Sequence, residues 1–156
     1  MSNAQPSPKA PPPDSTAASI RLENRADAVS ELLDFIQNFG LAHGLSDSVS
    51  NAFMLAAEEL FINTVSYGYR DGAVHHITVR LSIEPGSLAM DLEDDGAAFD
   101  PFAREDPDIT LAVEDRPIGG LGIFLTRQVM DQVAYERRDD RNWVSVQKKL
   151  GHPPAA

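Results

Sequence analysis

The sequence predicts an α+β two-layer sandwich, with helices on one face of a mixed, mainly antiparallel sheet. Three observations predict it. Short stretches that alternate apolar and polar side chains occur in pairs joined by turn residues, the pattern of hairpins. Only three longer stretches carry apolar residues at helical spacing. The two kinds follow one another as β-α-α-β-β-loop-α-β-β, with few helices and mostly hairpin-joined strands.

Residues 1–19 are rich in Pro, Ser and Ala and nearly devoid of large apolar side chains. Such a segment cannot bury enough surface to offset the entropy of ordering, so a disordered tail is expected there. A folded domain is expected over 20–150, with a short tail at 151–156. Alternation in 19–24 reads as a first strand. Val29, Leu32, Leu33, Ile36, Phe39 and Leu41 are spaced as a helix that Gly44 ends. A second helix follows from an N-cap at Ser46 to near Gly68, with a core stripe of Val49, Phe53, Ala56 or Ala57, Leu60, Thr64 and Tyr67. Ile77, Val79, Leu81 and Ile83 alternate in a strand, Pro-Gly-Ser at 85–87 turns the chain, and 88–94 returns. Gly96 to about Gly120 is a long loop with Pro101, Pro107 and Pro117, and loops of this length are often functional lids. A third helix over 120–132 and a last hairpin turning at Asp-Asp-Arg-Asn (139–142) complete the order.

Length and composition fit one domain: 156 residues, 42% hydrophobic and 24% charged. No apolar run approaches the roughly 18 residues of a membrane helix, and the N-terminus has no apolar core of a signal peptide, so the cytoplasm is the expected compartment and no membrane partner is expected. With no cysteine there is no disulfide, thiol or cysteine–zinc chemistry. The net charge is −11 and lysine occurs only at Lys9, Lys148 and Lys149, so no basic face points to direct nucleic-acid binding. The acidic balance suits solubility or a basic protein partner.

Three motifs carry chemistry. Asp91 to Pro101 holds five acidic residues and Gly96. It imitates half of an EF-hand loop, but position 12 is Phe102, which cannot ligate calcium. A solvated turn is one reading. The other is a pocket in which Asp94, at a strand end, accepts a hydrogen bond from an exocyclic amine such as adenine N6, while Gly96 lets a ring approach the backbone. On the second helix Glu59 and Asn63 are four apart and share a face. A surface pair is common, but an amide oxygen can also ligate Mg²⁺ beside a triphosphate, with Glu59 accepting a proton from an attacking hydroxyl. Gly119, Gly120 and Gly122 open the third helix, whose free N–H groups and dipole favour an anion. A flexible loop leading into a helix is the competing reading. His75 and His76 adjoin on a strand, point to opposite faces and are not expected to share a metal.

Taken in order, E-x-x-x-N on a helix, D-x-G at a strand end, a lid, and G-x-G at a helix start resemble the N, G1 and G2 boxes of the GHKL ATPases, the Bergerat-fold superfamily. Within it, "EELFINTVSYGY", "DDGAAFDPF" and "GGLGIFLTRQVMDQVAYERRDDRN" look like the small anti-sigma-factor serine/threonine kinases, over roughly Ile20 to Leu150. The resemblance implies an ATP- and ADP-binding kinase that uses Mg²⁺. It would sequester a sigma factor and phosphorylate a serine or threonine of a STAS-domain anti-anti-sigma partner. Homodimers are common in that family. Glu59 matches the general base, Asn63 the Mg²⁺ ligand through ATP, Asp94 and Gly96 the adenine site. Gly119, Gly120, Leu121 and Gly122 match the phosphate side, and Arg116 matches either the lid arginine or a solvated loop arginine. Ala98 stands where the G1 box usually has a second glycine, and Trp143 lies near where the family commonly carries a threonine beside the base. Those two departures motivate an alternative: a nucleotide-gated protein-binding module that has lost catalysis. A histidine-kinase catalytic domain fits less well, because His43 sits near the end of a short helix rather than in a dimerising hairpin.

Overall fold

The computed structural model describes residues 16–103 and 121–151. In order they form β1 (Ala17–Glu23), a 3₁₀ turn (Ala26–Ala28), α1 (Val29–Ala42), α2 (Asp47–Tyr67), β2 (His76–Glu84), β3 (Ser87–Asp94), α3 (Leu121–Val129), β4 (Gln132–Arg138) and β5 (Arg141–Lys149). Among the described residues the helices and strands come in the predicted order. β1 begins at Ala17, within the range assigned to the tail. The rest of that tail to residue 15, the 104–120 part of the expected lid with Arg116, Gly119 and Gly120, and residues 152–156 lie outside the described residues.

The five strands make one sheet in the order β1-β2-β3-β5-β4. Every pair is antiparallel, so the expectation of a mixed sheet is corrected. The cause is topological. The connection through α3 places β4 at the sheet edge, and β5 turns back into the gap between β3 and β4. β5 is therefore an antiparallel neighbour to both. Its hairpin turns on Asp139 and Asp140, both with positive φ (54° and 59°), the two-residue geometry that matches the twist of the strands. The β2–β3 hairpin turns on Pro85 and Gly86, whose φ of 75° favours glycine.

α2 starts where the Ser46 hydroxyl accepts the Val49 N–H at 3.2 Å, and ends where the Gly68 N–H reaches the Thr64 carbonyl at 2.8 Å. The core lies between the helices and one sheet face. Phe53, Ala56, Ala57, Leu60 and Phe61 of α2 are buried with Ile77, Val79, Leu81, Met90, Leu92 and Val146 of the sheet. Each large side chain there gives roughly 1.5–3 kcal/mol by leaving water. α2 is covered on more sides than a single stripe allows, so Ala52 and Phe61 are buried while Tyr67, expected in the stripe, is 45% exposed. Leu41 at the end of α1 is exposed as well. Among the described residues no helix is long and apolar enough to cross a membrane.

Candidate functional site

A pocket opens where the end of α2 meets the ends of β3 and β5. Its lining includes Asn63, Thr64 and Gly68 from α2 and its cap, Asp94 from β3, Ala97, Phe99 and Pro101 from the following loop, and Asn142 and Val144 from β5. Asn63 and Asp94, 31 residues apart in the chain by their numbering, thus face one space. The helix ends beside the strand end, so a residue in its last turns and the last residue of β3 converge.

Asp94 is 3% exposed. Its Oδ1 accepts the Gly96 N–H at 2.9 Å and an Asn142 Nδ2–H at 2.9 Å. Among the described residues nothing else bonds this carboxylate, which leaves Oδ2 for a ligand donor. Burial pushes its pKa up, while the Asn142 and Gly96 bonds and the Arg137 charge pull it back.

Asn142 is the site residue that sequence reasoning did not single out. It is 3% exposed and sits opposite Asp94 in the β3–β5 register. Its amide donates to Asp94 and to the Ala97 carbonyl, both at 2.9 Å. Its oxygen accepts from the Tyr135 hydroxyl at 2.6 Å, Arg137 Nη1 at 3.1 Å and the Phe99 N–H at 3.3 Å. With donors on one side and acceptors on the other, the amide has one orientation. Arg137 also reaches the Gly96 carbonyl at 2.8 Å. The signal was available: asparagine is depleted in strand interiors, so one inside β5 asks for a reason.

Trp143, expected near the base, lies on the other face of the sheet, because neighbours on a strand alternate. Its ring packs under Arg138, with the guanidinium carbon 4.4 Å from the ring centre. The pocket-facing residues of β5 are Asn142 and Val144. Ala98 is exposed and outside the pocket lining, where Ala97 stands instead. Gly96 is required by the packing of the loop itself. A Cβ there would lie 2.6 Å from the Gly68 carbonyl oxygen, which already accepts the Ala97 N–H at 2.8 Å. The glycine lets the loop after β3 close on the end of α2.

Glu59, one turn before Asn63, does not line this pocket. Its carboxylate lies against Gly122 in the first turn of α3. Burial raises its pKa, and the neighbouring Glu58 charge adds to that. Leu121, beside Gly122, is 42% exposed. On the other flank of the Asp94 loop, His75 bridges Asp71 at 2.7 Å and Asp95 at 3.1 Å, and the Tyr69 hydroxyl donates to Asp95 at 3.1 Å. Among the described residues no group of three or more His, Asp or Glu is arranged to hold a metal.

A family model described as a histidine kinase-like ATPase domain matches residues 22–148. The serine/threonine-protein kinase BtrW of Bordetella bronchiseptica is 28% identical over 130 residues, 82% of this chain and 90% of that protein. The serine-protein kinase RsbW of Listeria monocytogenes is 30% identical over 94 residues, 58% of this chain and 60% of that kinase. A solved structure of the RsbU and RsbW domains of Rv1364c from Mycobacterium tuberculosis superposes with a TM-score of 0.61 at 13% identity, over 88% of this chain. This chain spans a third of that one, 33%, so the likeness concerns the fold alone. The family match runs from within β1 to the penultimate residue of β5 and takes in α2, the Asp94 strand end and the start of α3. The chain therefore belongs to the family of histidine kinase-like ATPase domains.

Proposed function

We propose that this chain is an ATP-dependent protein serine/threonine kinase of the anti-sigma type, which binds a sigma factor and phosphorylates a STAS-domain anti-anti-sigma partner. The observation that carries the reading is the division of labour along α2. Asn63 faces the Asp94 pocket, and Glu59, one turn away, faces the start of α3. The names of the two kinases similar to this chain support the same reaction class.

Each residue has a role its surroundings suit. Asp94 Oδ2 accepts the exocyclic amine of adenine, and a guanine carbonyl in that place would meet a like partial charge. The Asn63 amide makes no hydrogen bond among the described residues, so its oxygen is available to a cation. One neutral oxygen is a fitting protein share for Mg²⁺, which takes most of its remaining ligands from phosphates and water. When bound, Mg²⁺ supplies neutralisation of the triphosphate oxygens. The hydroxyl oxygen of the partner's serine or threonine attacks the γ-phosphorus, the bond to the bridging oxygen breaks, and ADP leaves. Glu59 accepts the hydroxyl proton, and its raised pKa makes it the stronger base. The family resemblance assigns Gly120 and Gly122 to the phosphate side and makes Arg116 the candidate lid cation. The binding-module alternative loses its motivation, since Ala98 is exposed and Trp143 sits on the opposite face of the sheet.

The test is calorimetric titration of ATP and ADP with and without Mg²⁺, followed by transfer of labelled γ-phosphate to STAS-domain proteins. Asp94→Asn removes a charged hydrogen bond worth roughly 1.5–3 kcal/mol, so nucleotide affinity should fall about 10- to 150-fold. Glu59→Gln should keep nucleotide affinity and lower transfer about 10²- to 10⁴-fold. Transfer at the wild-type rate by Glu59→Gln would remove the base assignment.

A further inference from the structure

Gly122 lies inside α3, with a helical φ that any residue adopts; it is absent from the glycines held at positive φ. The backbone alone does not call for glycine there, and glycine is the poorer helix former. What calls for it is a side chain from another element. A Cβ built on Gly122 would overlap the Glu59 carboxylate and come within 2.7 Å of its Cγ.

We infer that Gly122 is the positioning residue of the general base: the volume left by its missing Cβ is the volume the Glu59 carboxylate occupies. The inference rests on the reading of Glu59 as that base. It gives the glycine a task distinct from leaving room for phosphate. Three features of the site argue for it. Among the described residues no hydrogen bond fixes the Glu59 carboxylate, so packing must hold it. A base held by packing keeps its lone pairs free for the incoming proton. The first turn of α3 is itself anchored: the Gly122 carbonyl accepts the hydroxyl of Thr126 at 2.9 Å, and Thr126 is fully buried. An added Cβ therefore displaces the flexible end of Glu59 rather than the helix. Finally, burial is the chief cause of the raised Glu59 pKa, and the surface that buries it includes this turn.

Gly122→Ala should fold and lose transfer, because a displacement of about 1 Å in a reacting group can cost about a hundredfold. Two measurements decide the matter. The first follows the Glu59 carboxyl carbon by NMR through a pH titration. Displacement into solvent should bring the midpoint down toward the ordinary glutamate value in Gly122→Ala. An unchanged midpoint overturns the inference. The second is a double-mutant cycle in phosphotransfer to a STAS-domain protein. Glu59→Asp shortens the side chain by one methylene and vacates the contested space. Gly122→Ala should then add little to the loss already caused by Glu59→Asp. Equal loss in both backgrounds overturns the inference. If Gly122→Ala alone fails to fold, recovery of folding in the double variant reports the same coupling, and no recovery overturns it. Should the wild type transfer no phosphate, the kinase reading falls, and the carboxyl titration still decides the role of Gly122.

Discussion

Asn142→Ala is the most informative single change outside the predicted motifs. It removes an amide that donates to the buried Asp94 carboxylate and to the Ala97 carbonyl. The first bond is to a charged group and is worth roughly 1.5–3 kcal/mol; the second is worth about 1 kcal/mol. Tyr135 and Arg137, which lose an acceptor, are half-buried and exposed and can turn to water, and the Phe99 N–H loses only a long bond of 3.3 Å, so the three add little. The total is about 3 kcal/mol, or roughly 10 °C in melting temperature for a domain of this size. The loss should depend on pH in a defined direction. Asp94 already has a raised folded pKa, chiefly from burial, and losing a donor raises it further. An acid raised in this way costs stability when ionised and costs nothing once protonated in both states, below its unfolded value of about 3.9. The deficit of Asn142→Ala is thus greatest at neutral pH and shrinks as the pH falls through the folded pKa of Asp94. Urea unfolding at neutral pH and again at about pH 5 measures it. A loss below about 1 kcal/mol at neutral pH, or one that grows on acidification, would refute the network as the support of Asp94.

Two further changes probe the walls of the same pocket. Gly96→Ala drives a Cβ to 2.6 Å from the Gly68 carbonyl oxygen, a backbone atom that cannot swing away, and displaces the Ala97 N–H that bonds it. It should cost roughly 2–4 kcal/mol in denaturant unfolding, and wild-type stability would show that the loop does not close on α2 as described. His75→Gln should flatten stability across the neutral range. The His75 pKa is raised first by Asp71 and then by Asp95, so its contribution is complete below about pH 6.5 and lost as the pH climbs through the higher folded value. On the acid side, the Ala73 N–H and His75 lower the Asp71 pKa. At Asp95, burial pushes up but the His75 and Tyr69 bonds outweigh it, so both carboxylates lose their contribution as the pH falls through their folded values. Thermal melts of wild type across that window should show a maximum that His75→Gln lacks.

What the sequence made legible divides by range. Glu59 and Asn63 share a helical face by a rule that needs only four residues, and Asp94 at a strand end needs only period two and a following turn. The helix–strand order follows from the same local periods. The role of Asn142 is not local. It depends on which residue of β5 stands opposite Asp94, 48 positions away, and that register is set by a turn. Read as a four-residue loop, Asp139–Asn142 leaves Asn142 in the turn and directs attention to Trp143. In the structure the turn is two residues, Asp139 and Asp140, so Arg138 pairs with Arg141 and Arg137 with Asn142. Asn142 then stands within β5 and faces the pocket, and the bulky Trp143 is sent to the far side. The positive φ of two successive aspartates closes this turn and so sets the register that stands the Asn142 amide beside the Asp94 carboxylate. Substituting Asn-Gly at those two positions would preserve the geometry. Inserting one residue between Arg141 and Asn142, with the two-residue turn kept, would slip the register by one and turn Trp143 to the pocket face.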